Sequence, residues 1–299
     1  MTGSSGVLVI AGPTASGKTE LAIALAQRYN AEIVSADSRQ IYRGMPIGTA
    51  APTAEQLATV RHHLVGFLDP HERYSAARFA ADAVRAIRDI QARGKRAIVA
   101  GGTGFYIRAL TGAVGLAPQH DEELRARLVR EAQLHDAEFL HGWLALRDKD
   151  RAQMIHPQDA YRVLRALEVA LAPESIRREG PIQSLVTDGI LFLKVYLEVD
   201  EAQLEERIAR RTDAMLAADF LEEAERIGAS AVAASAVGYP QALAFLSGWC
   251  TQDEMRALLV RATRRYAKRQ ATWFRSEPDL LTAPARDVER LAREKLAWV

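Results

Sequence analysis

Apolar positions in this chain alternate between short solid runs and longer stretches spaced at a helical period. The runs Val7-Leu8-Val9-Ile10-Ala11, Ala31-Glu32-Ile33-Val34-Ser35, Arg96-Ala97-Ile98-Val99-Ala100 and Ile190-Leu191-Phe192-Leu193-Lys194-Val195-Tyr196-Leu197 predict buried strands. His63-Leu64-Val65-Gly66-Phe67 is a further candidate strand, and Leu280-Leu281 a short late one. Between them lie amphipathic segments. One runs from Leu21 through Leu25 to Tyr29. Another carries Phe79, Val84, Ile87 and Ile90, with Ser75 as its cap and Gly94 as its stop. Strands alternating with helices predict an α/β fold: a parallel sheet covered by helices on both faces. From about residue 121 to 172 the pattern becomes helical and charged. Asp121 heads Leu124, Leu128 and Leu134, and a second helix runs from Ala160 through Val163, Leu164 and Leu167. Residues 173–188 read as a loop or short helix. The expected organisation is a core of residues 1–118 and 189–299, interrupted by a helical insertion at 119–188.

The link between the first strand and the first helix is Gly12, Pro13, Thr14, Ala15, Ser16, Gly17, Lys18 and Thr19. Strand, glycine loop, then Lys-Thr opening a helix is the spacing of a phosphate-cradling P-loop. Backbone N–H groups and the helix N-terminus turn toward an anion, Lys18 adds a full charge, and the Thr19 hydroxyl is placed to hold Mg2+. The sheet is therefore P-loop NTPase-like, and its ligands are expected at the carboxyl ends of the strands. Residues 12–19, Asp37 and Gly101-Gly102-Thr103-Gly104 all follow strand ends, so one crevice is predicted to hold all three.

Composition narrows the class only a little. The 299 residues carry a net charge of +1, and no apolar run reaches membrane-span length. The lone Cys250 excludes an internal disulfide and agrees with a reducing cytoplasm. A cytoplasmic monomer with no membrane association is expected. Charge distribution says more than net charge. Arg256, Arg261, Arg264, Arg265, Lys268, Arg269 and Arg275 form a basic stretch, which reads either as a solvated helix face or as a seat for RNA phosphates.

Individual residues leave alternatives open. Asp37, ahead of Ser38, Arg39 and Gln40, reads locally as a turn cap or as a general base. Thr103 reads as a helix cap or as a ligand contact behind two glycines. In His156-Pro157-Gln158-Asp159, capping is the simpler role, while Arg162 and Arg165 share a helix face. Arg207 and Arg211, one turn apart, are placed to pinch a diphosphate or to pair with acids such as Glu206. Tyr239 and the interleaved Lys268, Arg269, Gln270, Ala271, Thr272, Trp273, Phe274 and Arg275 suit base stacking with phosphate contact, or plain packing.

Taken in order, these segments resemble the tRNA dimethylallyltransferases, also called tRNA isopentenyltransferases. The motifs are residues 12–19, Asp37-Ser38-Arg39-Gln40-Ile41-Tyr42, Gly48-Thr49-Ala50, Gly101-Gly102-Thr103-Gly104-Phe105-Tyr106, His156-Pro157-Gln158-Asp159, Arg165-Ala166-Leu167-Glu168-Val169, Val237-Gly238-Tyr239 and residues 268–275. Gln158 stands where the family often has Asn, and Ser235 and Pro240 stand where basic residues are common. The resemblance implies transfer of a dimethylallyl group from dimethylallyl diphosphate to N6 of the adenosine immediately 3′ of the anticodon. It makes Asp37 the base and Thr103 the residue holding the adenine edge, with Mg2+ on Thr19 and diphosphate against residues 12–19, Arg207 and Arg211. It assigns contacts with the tRNA anticodon stem-loop to Asp37, Ser38, Arg39, Gln40, Thr103, Arg125, Tyr161, Arg162, Val163, Leu164 and Arg165. Further contacts fall on Ser235, Ala236, Val237, Gly238, Tyr239, Pro240 and residues 268–275, with the insertion clasping the anticodon arm.

Three other readings share parts of this pattern. An ATP-dependent kinase would use the same loop, with an acid from Leu64-Val65-Gly66-Phe67-Leu68-Asp69 on its metal. A prenyltransferase acting on free adenine nucleotides would need no basic C-terminal helix. An RNA-binding protein with a vestigial loop would not need Lys18, Thr19 and Asp37 intact.

Overall fold

The computed structural model describes residues 6–114, 121–172 and 183–298. It divides into two compact units, Met1–Val114 with Ile182–Val299, and Gly115–Pro181.

In the larger unit six parallel strands form one sheet in the order β3-β2-β4-β1-β5-β6. They are β1 (Val7–Ala11), β2 (Ala31–Ser35), β3 (His62–His63), β4 (Arg96–Gly101), β5 (Phe192–Leu197) and β6 (Leu280–Ala283). β1 and β2 are buried along their whole length, as strands covered on both faces must be. The segment 63–67 is not a strand beyond His63. Leu64 takes φ 61° and Gly66 φ 59°, so the chain turns there, and the Phe67 and Leu68 amides bond to the Ile41 carbonyl instead of a neighbouring strand.

The helices of this unit before the insertion are α1 (Lys18–Arg28), α2 (Ala54–Thr59), α3 (Ala76–Ala92) and α4 (Gly104–Leu110). The smaller unit holds α5 (Glu122–Leu134), α6 (Ala137–Arg147), α7 (Lys149–Met154) and α8 (Ala160–Leu171). The chain then returns through α9 (Glu201–Ala217), α10 (Phe220–Ile227), α11 (Tyr239–Leu246), α12 (Gln252–Phe274) and α13 (Ala285–Leu296). Ser75 caps α3 through the Arg78 amide, and Asp121 caps α5 through the Glu123 and Leu124 amides. Asp159 caps α8 through the Arg162 amide, which gives it the capping role the sequence favoured.

One core cluster packs α1 and α13 against the sheet, with Leu8, Ile10, Leu25, Val195, Val288 and Trp298 at its centre. A second joins residues 41–45 to α10 and α11 through Met45, Phe220, Ala224 and Tyr239. In the smaller unit Leu128, Leu140, Leu144, Val163 and Leu167 form a separate core.

Candidate functional site

Strand order decides which loops meet. β4 lies between β2 and β1, so the loops leaving their carboxyl ends stand side by side: Asp37 after β2, Gly102 and Thr103 after β4, and the glycine loop after β1. Gly17 takes φ 86°, a left-handed conformation that turns the chain into α1 without a Cβ penalty.

Inside that loop Lys18 Nζ donates to the Pro13 carbonyl at 2.7 Å and to Ser16 Oγ at 3.4 Å. Arg211 donates to Thr14 Oγ1 at 2.9 Å, and Arg207 to the Ser16 carbonyl at 3.4 Å. Arg210, between them, pairs with Glu206 at 3.6 Å. Among the described residues Lys18, Arg207 and Arg211 make no ion pair with a carboxylate. Lys18 keeps part of its surface open, yet the crowding protein atoms strip its hydration. Its pKa falls from 10.5 to about 8, mainly by that burial, with Asp37 opposing the fall and Arg211 adding to it. Burial likewise lowers the Arg211 pKa, again against the field of Asp37.

The charge of Asp37 is thus felt at both Lys18 and Arg211. One oxygen, Oδ1, accepts from the Arg39 amide at 2.8 Å and the Gln40 amide at 3.4 Å. Asp37 thus has the turn-cap role, and it leaves Oδ2 without a hydrogen-bond partner among the described residues. Thr103 does not cap α4 with its side chain. Its Oγ1 accepts from the Ser38 amide at 2.9 Å, joining the Asp37 loop to the β4 loop. The hydroxyl of Thr19, in the first turn of α1, has no hydrogen-bond partner among the described residues, so it suits a magnesium ligand.

Two contributors were missed from sequence. Tyr266 sits one turn before Gln270 on α12, where burial and the charge of Asp37 hold its phenol protonated. Its i,i+4 spacing to Gln270 was the available signal. The second is Glu223. Its buried carboxylate accepts from the Ile47 amide (2.9 Å), the Gly48 amide (2.7 Å) and the Tyr239 hydroxyl (2.7 Å). This buried acceptor ties the Gly48-Thr49 segment to the Val237-Gly238-Tyr239 segment.

Burial divides the residues assigned to RNA contact into covered and exposed ones. Tyr239 is fully buried against Phe220 and Glu223, so its ring has no face left for a base. Val163, Ala236, Gly238 and Phe274 are also core residues. Leu164 and Val237 are half-buried and pack against core clusters. Arg125 and Arg165 each donate at 2.6 Å to the buried Glu168 carboxylate, which engages both guanidinium groups. Gln40 spans Ser35 Oγ and the Ala50 carbonyl. Gln270 is buried, and Trp273, half-buried, lies under the Arg108 guanidinium at 4.5 Å. Ser235, Pro240, Lys268, Arg269, Thr272 and Arg275 are exposed, and Tyr161 and Arg162 are exposed on the smaller unit. Asp69, the acid a kinase reading would need, is exposed and bonded to His71.

The IPP transferase family model matches residues 40–277. The chain belongs to the IPP transferase family. It is 45% identical over 292 residues to a tRNA dimethylallyltransferase of Anaeromyxobacter dehalogenans strain 2CP-C, covering 96% of this chain and 98% of that one. It is 42% identical over 278 residues to the tRNA dimethylallyltransferase of Geobacter sulfurreducens, covering 91% and 89%. The fold matches the crystal structure of the full-length tRNA isopentenylpyrophosphate transferase of Bacillus halodurans, with TM-score 0.70, 33% identity, and 98% and 97% of the two chains covered. It also matches a eukaryotic dimethylallyltransferase caught acting on tRNA, with TM-score 0.76, 25% identity, and 98% and 77% covered. The family's P-loop-like sheet is the one described above. No helix among the described residues is long and apolar enough to cross a membrane.

Proposed function

We propose that this chain transfers a dimethylallyl group from dimethylallyl diphosphate to N6 of the adenosine immediately 3′ of the anticodon in tRNA, releasing diphosphate. One observation supports the reading beyond family membership: the loops carrying Lys18 and Asp37 leave the same end of one sheet, flanking the β4 loop, and the Asp37 charge is felt at Lys18. A cation cradle beside an acceptor carboxylate suits a reaction in which an anion leaves as a proton is removed.

In the reaction the C1–O bond of the donor breaks and its electron pair leaves with the diphosphate. The N6–C1 bond forms, and the N6 proton passes to Asp37 Oδ2. The adenine amine is a poor nucleophile, so most of the acceleration must come from the leaving side. Lys18, Arg207, Arg211 and the loop amides neutralise the diphosphate as the allylic carbon takes up positive charge. A bound magnesium ion would neutralise it further, and the Thr19 hydroxyl is the protein group that would hold it. Thr103, fixed by Ser38, holds the adenine edge beside Asp37. The base must leave its stack to reach this depth. Arg39, Tyr161, Arg162, Ser235, Pro240, Lys268, Arg269 and Arg275 carry the tRNA contacts, largely through phosphates. The enzyme works as a cytoplasmic monomer.

The test incubates the protein with radiolabelled dimethylallyl diphosphate and an unmodified anticodon stem-loop bearing that adenosine. Label in the RNA with equimolar diphosphate is expected. Label appearing only in free adenine nucleotides, or phosphoryl transfer from ATP, would overturn the reading.

A further inference from the structure

Three loops must hold the reacting groups in register, and each boundary between them is bridged by one side chain. Between the Asp37 loop and the β4 loop the bridge is Thr103, through the Ser38 amide. Between the β4 loop and the glycine loop it is Gln270, reaching across from α12. Its Oε1 accepts from the Thr14 amide at 2.9 Å, and its Nε2 donates to the Gly102 carbonyl at 2.9 Å. The residue is only 6% exposed. A Cβ on Gly102 would stand 2.2 Å from Nε2, so this glycine leaves the room that the amide fills.

We propose that Gln270 is a positioning residue which sets the distance between the diphosphate cradle and the acceptor loops; this rests on the transfer reaction proposed above. Three features favour this over ordinary packing. Both of its bonds go to backbone groups of functional loops, more than 160 residues away in sequence. The bond to Gln270 withdraws the Thr14 N–H from the anion and turns it to holding the loop. The bridge also needs one donor and one acceptor, which an amide supplies and a carboxylate does not. An ionised carboxylate at this position would still accept from Thr14 but would face the Gly102 carbonyl oxygen with no proton between them. A protonated carboxyl would restore both bonds.

Gln270→Met preserves volume and removes both bonds. Its kcat at saturating donor and stem-loop should fall roughly 10- to 100-fold, the scale of a displacement of about 1 Å at reacting groups. Both KM values should stay within about threefold. Gln270→Glu should be similarly slow at pH 8 and recover as pH falls toward 6, an acid rescue absent from the unsubstituted enzyme. Hydrogen exchange at the Thr14 amide, followed without substrates, should be slow in the unsubstituted chain and fast in Gln270→Met.

A kcat near normal in Gln270→Met would overturn the proposal. So would a Gln270→Glu deficit that is the same at every pH, or unchanged Thr14 exchange. If Gln270→Met fails to fold, Gln270→Glu at low pH carries the kinetic test. If the unsubstituted enzyme transfers no label, the reaction assignment fails, and the exchange measurement still judges the bridge.

Discussion

Cationic side chains receive two kinds of treatment in this molecule. Lys194, on β5, meets Glu277 at 2.7 Å, and Arg108 meets the same carboxylate at 2.8 Å. In the smaller unit Arg125 and Arg165 share Glu168 at 2.6 Å each. On β2, Glu32 takes Arg93, Lys95 and His63 together, and these partners hold its carboxyl well below the usual range. At the glycine loop the pattern reverses. Lys18, Arg207 and Arg211 gather against backbone carbonyls and hydroxyls, with no carboxylate in ion-pair contact among the described residues. Ion pairs of the first kind hold the fold together. The second arrangement should cost stability in the free protein, and it is where the proposed function puts the diphosphate.

The contrast can be broken at either end. The largest effect is expected from the acceptor side of the uncompensated cluster: Asp37→Ala should lower kcat roughly 10²- to 10⁴-fold while retaining donor and RNA affinity. Single-turnover kinetics with separate binding titrations check this, and a rate near normal would leave Asp37 only its turn-capping bonds. Next come the compensated pairs. Glu277→Ala strands Lys194 and Arg108, so urea unfolding should show a loss of about 3–5 kcal/mol. A change below about 1 kcal/mol would remove the claimed difference between the two regions.

Lys18 sharpens the comparison from the other side. Lys18→Met should weaken diphosphate binding about 10- to 100-fold, the value of a charged hydrogen bond. It should also stabilise the ligand-free protein at pH 7, the reverse of Glu277→Ala. The pH dependence follows from the direction of the shift. The folded-state pKa of about 8 lies below the unfolded value of 10.5, so the unfolded chain binds more protons between those pH values. This group's penalty is therefore full below pH 8 and fades as pH rises to 10.5. Unfolding of the two proteins across that window should converge toward the alkaline end.

The smallest effect is expected at the exposed face of α12. Replacing Arg264, Arg265 and Lys268 by Gln should flatten the slope of log affinity for tRNA against log salt by about 2. Arg264 is already partly satisfied by Glu205 at 3.4 Å, so the loss should stop short of three full contacts. An unchanged slope would leave that face to solvent.

The sequence made the sheet legible because buried parallel strands leave unbroken apolar runs, as at Val7–Ala11 and Arg96–Gly101. The glycine loop was legible because a positive-φ glycine before a helix start is written in residue spacing. His63-Leu64-Val65-Gly66-Phe67 misled because apolar composition alone does not reveal a left-handed turn at Leu64. Motif order brought the right segments together but did not separate contact from support. Tyr239, Gln270 and Phe274 sit inside motifs assigned to RNA, and the fold spends them on packing or bridging. That division depends on which helix face meets the sheet, and α12 is basic on one face and packed on the other, with Gln270 and Phe274 one turn apart. Glu223 was invisible because its three donors arrive from two distant segments.

The central claim is that the uncompensated cations of the glycine loop are held for a diphosphate. It is tested most directly by calorimetric titration of inorganic pyrophosphate at pH 8 in buffers of different ionisation enthalpy, comparing the unsubstituted chain with Lys18→Met. Binding that restores the Lys18 charge should take up about half a proton more in the unsubstituted chain than in the variant. Equal proton uptake with equal affinity in the two proteins would contradict the claim.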